Sequence, residues 1–335
     1  MRPPPPVKVA AAVSKSVPYV IRNVGYIEAW NTVNILPQVS GQIVGIHFNE
    51  GQIVRPGDPL FTIDPRIYQA ELGEAEGALY EAQAALEFNR ERVRRFAELL
   101  PEDYVSKLDF DNYMAQVSES IGTVQQYQAA VEKGKVNVDY TTINAPIPGM
   151  AGLRNYDLGN VVTPSEIQPM VTINQLCPIY AVFTIPEKQF PLVMQYNSKE
   201  GLEVTAYTEA GTAHVGKLDY ITNQIDNATG TATLRAHYPN NDLSLWPGQY
   251  CMVEVKLYEI PDAVLIPTAA IGLDTKGHYT FVVGEGDVAE IRRLQLGQQF
   301  DEWQVVTKGV KGGEQVITEG QISVAPGAKV RIVSL

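Results

Sequence analysis

Two stretches decide the fold: residues 35–63, ILPQVSGQIVGIHFNEGQIVRPGDPLFTI, and residues 143–171, INAPIPGMAGLRNYDLGNVVTPSEIQPMV. They align at a constant offset of 149 − 41 = 108, which sets Gly41 on Gly149, Gly51 on Gly159, Val54 on Val162 and Pro56 on Pro164. Hydrophobic type is kept at Ile35/Ile143, Val39/Ile147, Ile53/Val161 and Ile63/Val171. Glycine and proline interrupt the apolar residues too often for a helix, so each copy reads as short strands joined by turns. Three or four short strands cannot bury a core alone. The two halves are therefore expected to pair with each other as a small β-sandwich.

Between the copies the period changes. Tyr68, Leu72, Ala75, Leu79, Ala82, Leu86, Val93, Phe96 and Leu100 follow a 3-4 spacing, and so do Phe110, Val117, Val124, Val131 and Val138 with Tyr113, Ser120 and Tyr127. Sustained spacing of this kind predicts two long helices packed as a coiled coil. Pro101, followed by Glu102 and Asp103, marks the turn. A helix of about 30 residues is roughly 45 Å long. Glu, Gln and Arg fill the remaining faces, as expected of a hairpin that packs along one stripe only.

After Asn174 the pattern is all-β. Runs such as Ile179–Ile185, Leu202–Tyr207 and Tyr250–Val255 alternate or stay apolar, and Asp226–Gly230 and Pro239–Asp242 are turn clusters. This predicts a small barrel that closes near residue 260. Pro261 and Pro267 lead into a last β segment ending at Val333. Val7–Trp30 has strands, but too few to stand alone, and is expected to add one to each C-terminal β domain. The fold class is thus mainly β with a long α-helical coiled-coil hairpin, elongated and multidomain. The expected divisions are 1–18 (tether and first strand of the last domain), 19–33 (barrel strand), 34–66 with 139–174 (sandwich), 67–138 (hairpin), 175–260 (barrel) and 261–335 (last β domain). Short connections near Asn174-Gln175 and Ile260-Pro261 are expected to act as flexible joints.

Composition excludes several functions. With 26 Lys+Arg against 38 Asp+Glu, the net charge is 26 − 38 = −12. That argues against nucleic acid as a partner, since binding it needs a basic face. No run of 18 apolar residues is present. His47, His214, His237 and His278 are scattered singly, the six Met are dispersed, and no metal or cofactor is expected. There is no nucleophile elbow, Walker loop or HExxH motif, so no catalytic residues are assigned. Cys177 and Cys251 read as two buried small hydrophobes, with a disulfide in an oxidising compartment as the alternative. Residues 1–6, Met-Arg-Pro-Pro-Pro-Pro, hold no apolar signal core. They favour a polyproline tether, and an exported protein would then be present in a mature or truncated form.

In this order the motifs resemble those of the periplasmic adaptor, or membrane fusion protein, family of tripartite resistance-nodulation-division (RND) efflux pumps. Val39-Ser40-Gly41 with Gly51-x-x-Val54-x-x-Gly57 is similar to a first lipoyl half-motif, and Ala145-Pro146-x-x-Gly149 with Gly159-x-x-Val162 to a second. Ile225-Asp226-x-x-Thr229-Gly230-Thr231-x-x-Leu234-Arg235-Ala236, then Pro239-Asn240 and Leu245-x-Pro247-Gly248, resembles the family's barrel signature. Gly309-Val310, Gly312-Gly313, Val316 and Pro326-Gly327-Ala328-x-Val330 resemble its membrane-proximal domain.

The resemblance implies an adaptor between an inner-membrane RND transporter and an outer-membrane channel, working in the periplasm against the inner membrane. It also implies self-association, as a hexamer, and leaves open a lipid anchor on the native N-terminus. Arg95-x-x-x-Leu99-x-x-x-x-x-x-Ser106 matches the pattern by which family hairpin tips dock onto the channel. Arg95 offers a forked donor, Leu99 an apolar knob and Ser106 a hydroxyl. The plainer reading is that Leu99 or Leu100 closes the hairpin and Ser106 only caps its second helix. A lipoyl or biotinyl carrier is disfavoured, because Ile63-Asp64-Pro65-Arg66 offers no lysine where carriers place theirs. The alternative within the scaffold class is the adaptor of an ABC-type exporter or type I secretion system.

Overall fold

A computed structural model describes residues 4–102, 104, 106–197 and 201–333. The chain forms two compact units. One comprises Glu28–Ile179 with Pro239–Pro247, and the other comprises the remainder.

In the first unit the repeat folds as two four-stranded sheets. One sheet runs Thr32–Ile35, Val171–Asn174, Gly149–Ala151, Ile53–Val54, and the other Thr142–Asn144, Pro59–Ile63, Gly41–Ile46, Val161–Val162. Each sheet takes two strands from each copy, so the halves interleave. The register is symmetric under the 108-residue offset: Gly41 pairs with Val162 and Gln42 with Val161, while Gly149 pairs with Val54 and Met150 with Ile53. The turns repeat it too. Gly159 N donates to Ile43 O and Gly51 N to Ala151 O, both at 2.8 Å. Both of these glycines have left-handed φ, +91° and +77°, which a side chain would strain. Val39, Ile43, Val54, Leu60, Phe61, Ile63, Val162, Val171 and Ile173 form the buried core between the sheets.

Where a carrier would turn tightly, this chain leaves Ile63 and enters helix α1, Arg66–Leu99. It returns along α2, Lys107–Asp139, into Thr142–Asn144. α1 is rich in Ala, Glu, Leu and Arg, good helix formers, whereas α2 leans on Gln, Ala and Lys and carries Val along its seam. α1 passes into a 3-10 turn over Leu100–Glu102 at Pro101, whose missing N–H cannot extend the helix. The expected turn residue Asp103 lies outside the described residues. Ala82 and Leu86 of α1 and Val131 and Gly134 of α2 are buried, and a methyl group on Gly134 would lie 3.1 Å from Leu72 Cδ1.

In the second unit six strands close a barrel, in the order Glu203–Thr208, Ala213–Ile221, Thr231–Tyr238, Ile179–Pro186, Val13–Ala29, Tyr250–Pro267. Closure runs from Val204 opposite Val255 to Thr208 opposite Cys251. Val204, Ala206, Leu234, Ala236, Tyr238, Val253 and Val255 fill the interior. Burial holds the Tyr238 hydroxyl far above its ordinary pKa, and its oxygen has no hydrogen-bond partner among the described residues.

The last β segment contains a sheet ordered Gly272–Asp274, Gly277–Gly284, Gln315–Glu319, Pro6–Ala11, Arg331–Ile332, with Val288–Arg293 paired to Gly277–Gly284.

Two expectations are corrected. The proline run is not a tether as far as Pro6, which already opens a strand paired to Arg331; Met1–Pro3 lie outside the described residues. The connection at Ile260-Pro261 runs as two paired strands. Tyr250–Pro267 pairs with Val13–Ala29 from Tyr250 opposite Tyr26 to Leu265 opposite Val13, with a bulge between Ile260 and Ala263. Cys177 is exposed, donating to Asn240 O at 2.9 Å, whereas Cys251 is buried; both are free thiols. Burial pushes the Cys251 thiol up to about 11.

Within the first unit the chain near Gln175 is hydrogen-bonded to its neighbours. Trp30 N donates to Gln175 O at 3.0 Å and Gln175 N to Asn31 O at 2.8 Å. The buried Asn240 side chain donates to Leu176 O at 2.9 Å and Leu245 O at 3.0 Å, and accepts from Leu245 N at 2.9 Å.

Candidate functional site: the hairpin tip

The inward stripe of α1 runs Tyr68, Leu72, Ala75, Leu79, Ala82, Leu86, Asn89, Val93, Phe96, Leu100. Asn89 occupies a slot that the 3-4 spacing assigns to an apolar residue. Facing it is Ser120, and Asn89 Nδ2 donates to Ser120 Oγ at 2.8 Å. Ser120 in turn donates to Gln116 O at 2.9 Å, so this polar layer is satisfied within the seam. A single polar layer in an apolar coiled coil fixes register at some cost in stability.

Above that layer the seam is aromatic and cationic. Phe96 stacks on Tyr113 with ring centroids 4.8 Å apart, and Arg92 sits 4.2 Å from the Tyr113 centroid on the way to Gln116 Oε1 at 3.4 Å. Leu100 is half-buried and closes the seam. Leu99 is 39% exposed, outside it.

On the outer surface of α1, Glu91 gathers two guanidinium groups. It accepts from Arg94 Nη2 at 2.6 Å and Nε at 2.7 Å, and from Arg95 Nε at 3.0 Å. These bonds hold the Glu91 carboxyl down at about 2, with Arg94 the larger cause and Arg95 next. The Arg95 side chain remains 73% exposed, so Glu91 orients it without covering it. Ser106 Oγ accepts from Leu108 N at 3.2 Å, capping α2. The capping role is therefore real, and the hydroxyl proton is not consumed by it.

The turn carries Arg95, Leu99 and Ser106 to one end of the hairpin, Arg95 and Leu99 on α1 and Ser106 at the start of α2. Beside them stand two side chains that the spacing of the motif does not single out: Tyr104, 75% exposed, and Leu108, 70% exposed. Chemically the tip offers oriented cations, apolar knobs and a capped helix start. That suits recognition of another protein's helical surface. Among the described residues no group of three or more His, Cys, Asp or Glu is placed to hold a metal ion. No described helix is long and apolar enough to cross a membrane.

A split sandwich opening into a two-helix hairpin, followed by a closed barrel and a C-terminal β module, defines a membrane fusion adaptor. Three family models match in sequence: the RND MFP (membrane fusion protein) barrel-sandwich hybrid domain over residues 31–174, the RND MFP beta-barrel domain over 178–259, and the RND MFP C-terminal permuted SH3 domain over 262–322. The chain is 35% identical to multidrug resistance protein MdtA of Pantoea ananatis over 336 residues, covering 99% of this chain and 82% of that one. It is 36% identical to MdtA of Cronobacter turicensis over 333 residues, covering 98% and 80%. Its fold is similar to the crystal structure of MacA from Actinobacillus actinomycetemcomitans, with a TM-score of 0.64, 20% identity and coverage of 93% and 99%. The chain belongs to the membrane fusion protein family of RND pumps, and it is an adaptor of a tripartite efflux pump. The family matches do not favour the ABC-type alternative.

Proposed function

We propose that this adaptor works in the periplasm against the inner membrane. There it joins an RND transporter to an outer-membrane channel and contributes no catalytic step of its own. In this reading Arg95, Leu99 and Ser106 are the docking residues toward the channel. Self-association, as six copies, builds the conduit wall, and a lipid on the native N-terminus is one means of holding it to the membrane. The division into sandwich (34–66, 139–174), hairpin (67–138), barrel (19–33, 175–260) and membrane-proximal domain (1–18, 261–335) assigns the hairpin to the channel and the C-terminal β segment to the transporter.

The observation that carries the docking assignment is the ion-paired presentation of Arg95. An exposed arginine held by Glu91 loses less side-chain freedom on binding than a free one, which favours a directed contact. Charge reversal tests it. Arg95→Glu is expected to abolish crosslinking of the hairpin tip to the channel in cells while the helical circular dichroism of the protein is unchanged. Undiminished crosslinking by the folded variant refutes the assignment.

A further inference from the structure

We propose that Gln298 is a latch between the barrel and the C-terminal β segment, and that its release lets the two long strands joining them bend at Asp262. Both modules lie in the second unit. The joining strands are Val13–Ala29 and Tyr250–Pro267, which run paired from one module into the other. Their ladder shifts register between Ile260 and Ala263, and Asp262 there adopts a left-handed φ of +52°. A bulge bends the strand that carries it and interrupts the ladder, so the ribbon is weakest at this point.

A hairpin lies across the weak point. Its strands are Gln295–Phe300 and Trp303–Lys308. On the C-terminal side of the bulge the second of these pairs with the ribbon, from Val264 opposite Val306 to Pro267 opposite Trp303. Phe300 and Trp303 pack with Val17, Ile260, Ala263 and Leu265, apolar residues from both sides of the bulge. Gln298 reaches further, to the barrel side. Its Oε1 accepts from Val20 N at 3.0 Å, and its Nε2 donates to Val20 O.

One side-chain amide thus takes both backbone groups of Val20, as a residue of a neighbouring antiparallel strand would. The position of the amide is itself unusual. Leu296, Gln298 and Phe300 form the half-buried face of their strand, and alternation calls for an apolar residue between the outer two. Apolar contacts are non-directional and allow sliding, whereas two hydrogen bonds to one residue fix distance and angle. With the latch closed, the barrel follows a displacement of the C-terminal β segment as one body. With it open, the bulge absorbs the displacement.

The test uses the full chain carrying Cys177→Ser, which leaves the buried Cys251 as its one native thiol. Spin labels on Val215→Cys in the barrel and Leu273→Cys in the C-terminal β segment, both exposed positions, report the distance between the modules by pulsed electron resonance. The parent is expected to give one narrow distance. Gln298→Met keeps the side-chain length without the amide, and should broaden the distribution and speed exchange of the Val20 amide about tenfold. Gln298→Glu keeps the acceptor for Val20 N but at neutral pH has no proton for Val20 O, and should broaden the distribution likewise. Amide exchange along Thr231–Tyr238 should stay unchanged in both variants, since the barrel itself is intact. A distribution as narrow as the parent's in either variant overturns the latch, as does a parent that is already broad. Unchanged exchange at Val20 in Gln298→Met overturns it as well. Lost protection along Thr231–Tyr238 would assign Gln298 to barrel stability and overturn it too.

Discussion

The interleaved sandwich makes Gly149→Ala a sharp perturbation. Gly149 pairs with Val54 at the start of Gly149–Ala151, and the neighbouring Met150 pairs with Asn174. A methyl group on Gly149 would lie 2.4 Å from the Asn174 carbonyl oxygen and 2.8 Å from its carbon. These are backbone atoms of a paired strand, so no side-chain rotation relieves the contact. Overpacking of this kind costs about 3 kcal/mol, the upper end of the usual range. For a cooperative unit of this size that corresponds to a melting point lower by about 6–12 °C.

Gly57→Ala is the control. Its φ is +90° and nothing lies within 4 Å, so only the left-handed conformation penalises it, by about 1–2 kcal/mol. Thermal unfolding followed by hydrogen exchange of Val171–Asn174 reads both variants. Gly149→Ala melting within about 1 °C of the parent, or Gly57→Ala losing more than Gly149→Ala, refutes the close pairing of Gly149–Ala151 with Val171–Asn174.

Two further outcomes follow from the tip. Ser106→Ala removes the cap of α2 and should destabilise its first turn by about 1 kcal/mol, with Ser106→Asn restoring most of it; faster amide exchange confined to residues 107–110 is the expected signature, and unchanged exchange contradicts it. Glu91 has its folded pKa lowered from 4.5 to about 2, so the stabilisation it gives is complete above 4.5 and is lost as pH falls toward 2. A carboxyl-carbon NMR titration should place its midpoint near 2, and a midpoint in the ordinary glutamate range would show that Arg94 and Arg95 do not hold it.

Particular residues show what is legible in the sequence and what is not. The repeat is visible because its glycines and prolines are demanded locally: Gly51 and Gly159 both adopt positive φ at equivalent turns, and spacing alone reveals them. The interleaving of the halves is invisible there, because pairings such as Gly41 with Val162 join residues about 120 apart without a local signal. The hairpin is legible from its 3-4 stripe, but Asn89 interrupts that stripe. Only its partner Ser120, already in the predicted seam, hints that the slot is occupied by design. Tyr104 and Leu108 follow no period, since exposure on a helix depends on what the other face buries. Cys177 has the same difficulty: a small apolar type suggests burial, and the loop around Asn240 leaves it outside.

The most direct measurement is purification of the native adaptor, after mild crosslinking, from the envelope of the cell that makes it. Recovery of both a proton-driven RND transporter and an outer-membrane channel, with the channel lost in Arg95→Glu and the transporter retained, is the predicted result. Recovery of an ABC transporter instead, or of a transporter whose channel survives charge reversal at Arg95, would contradict the account.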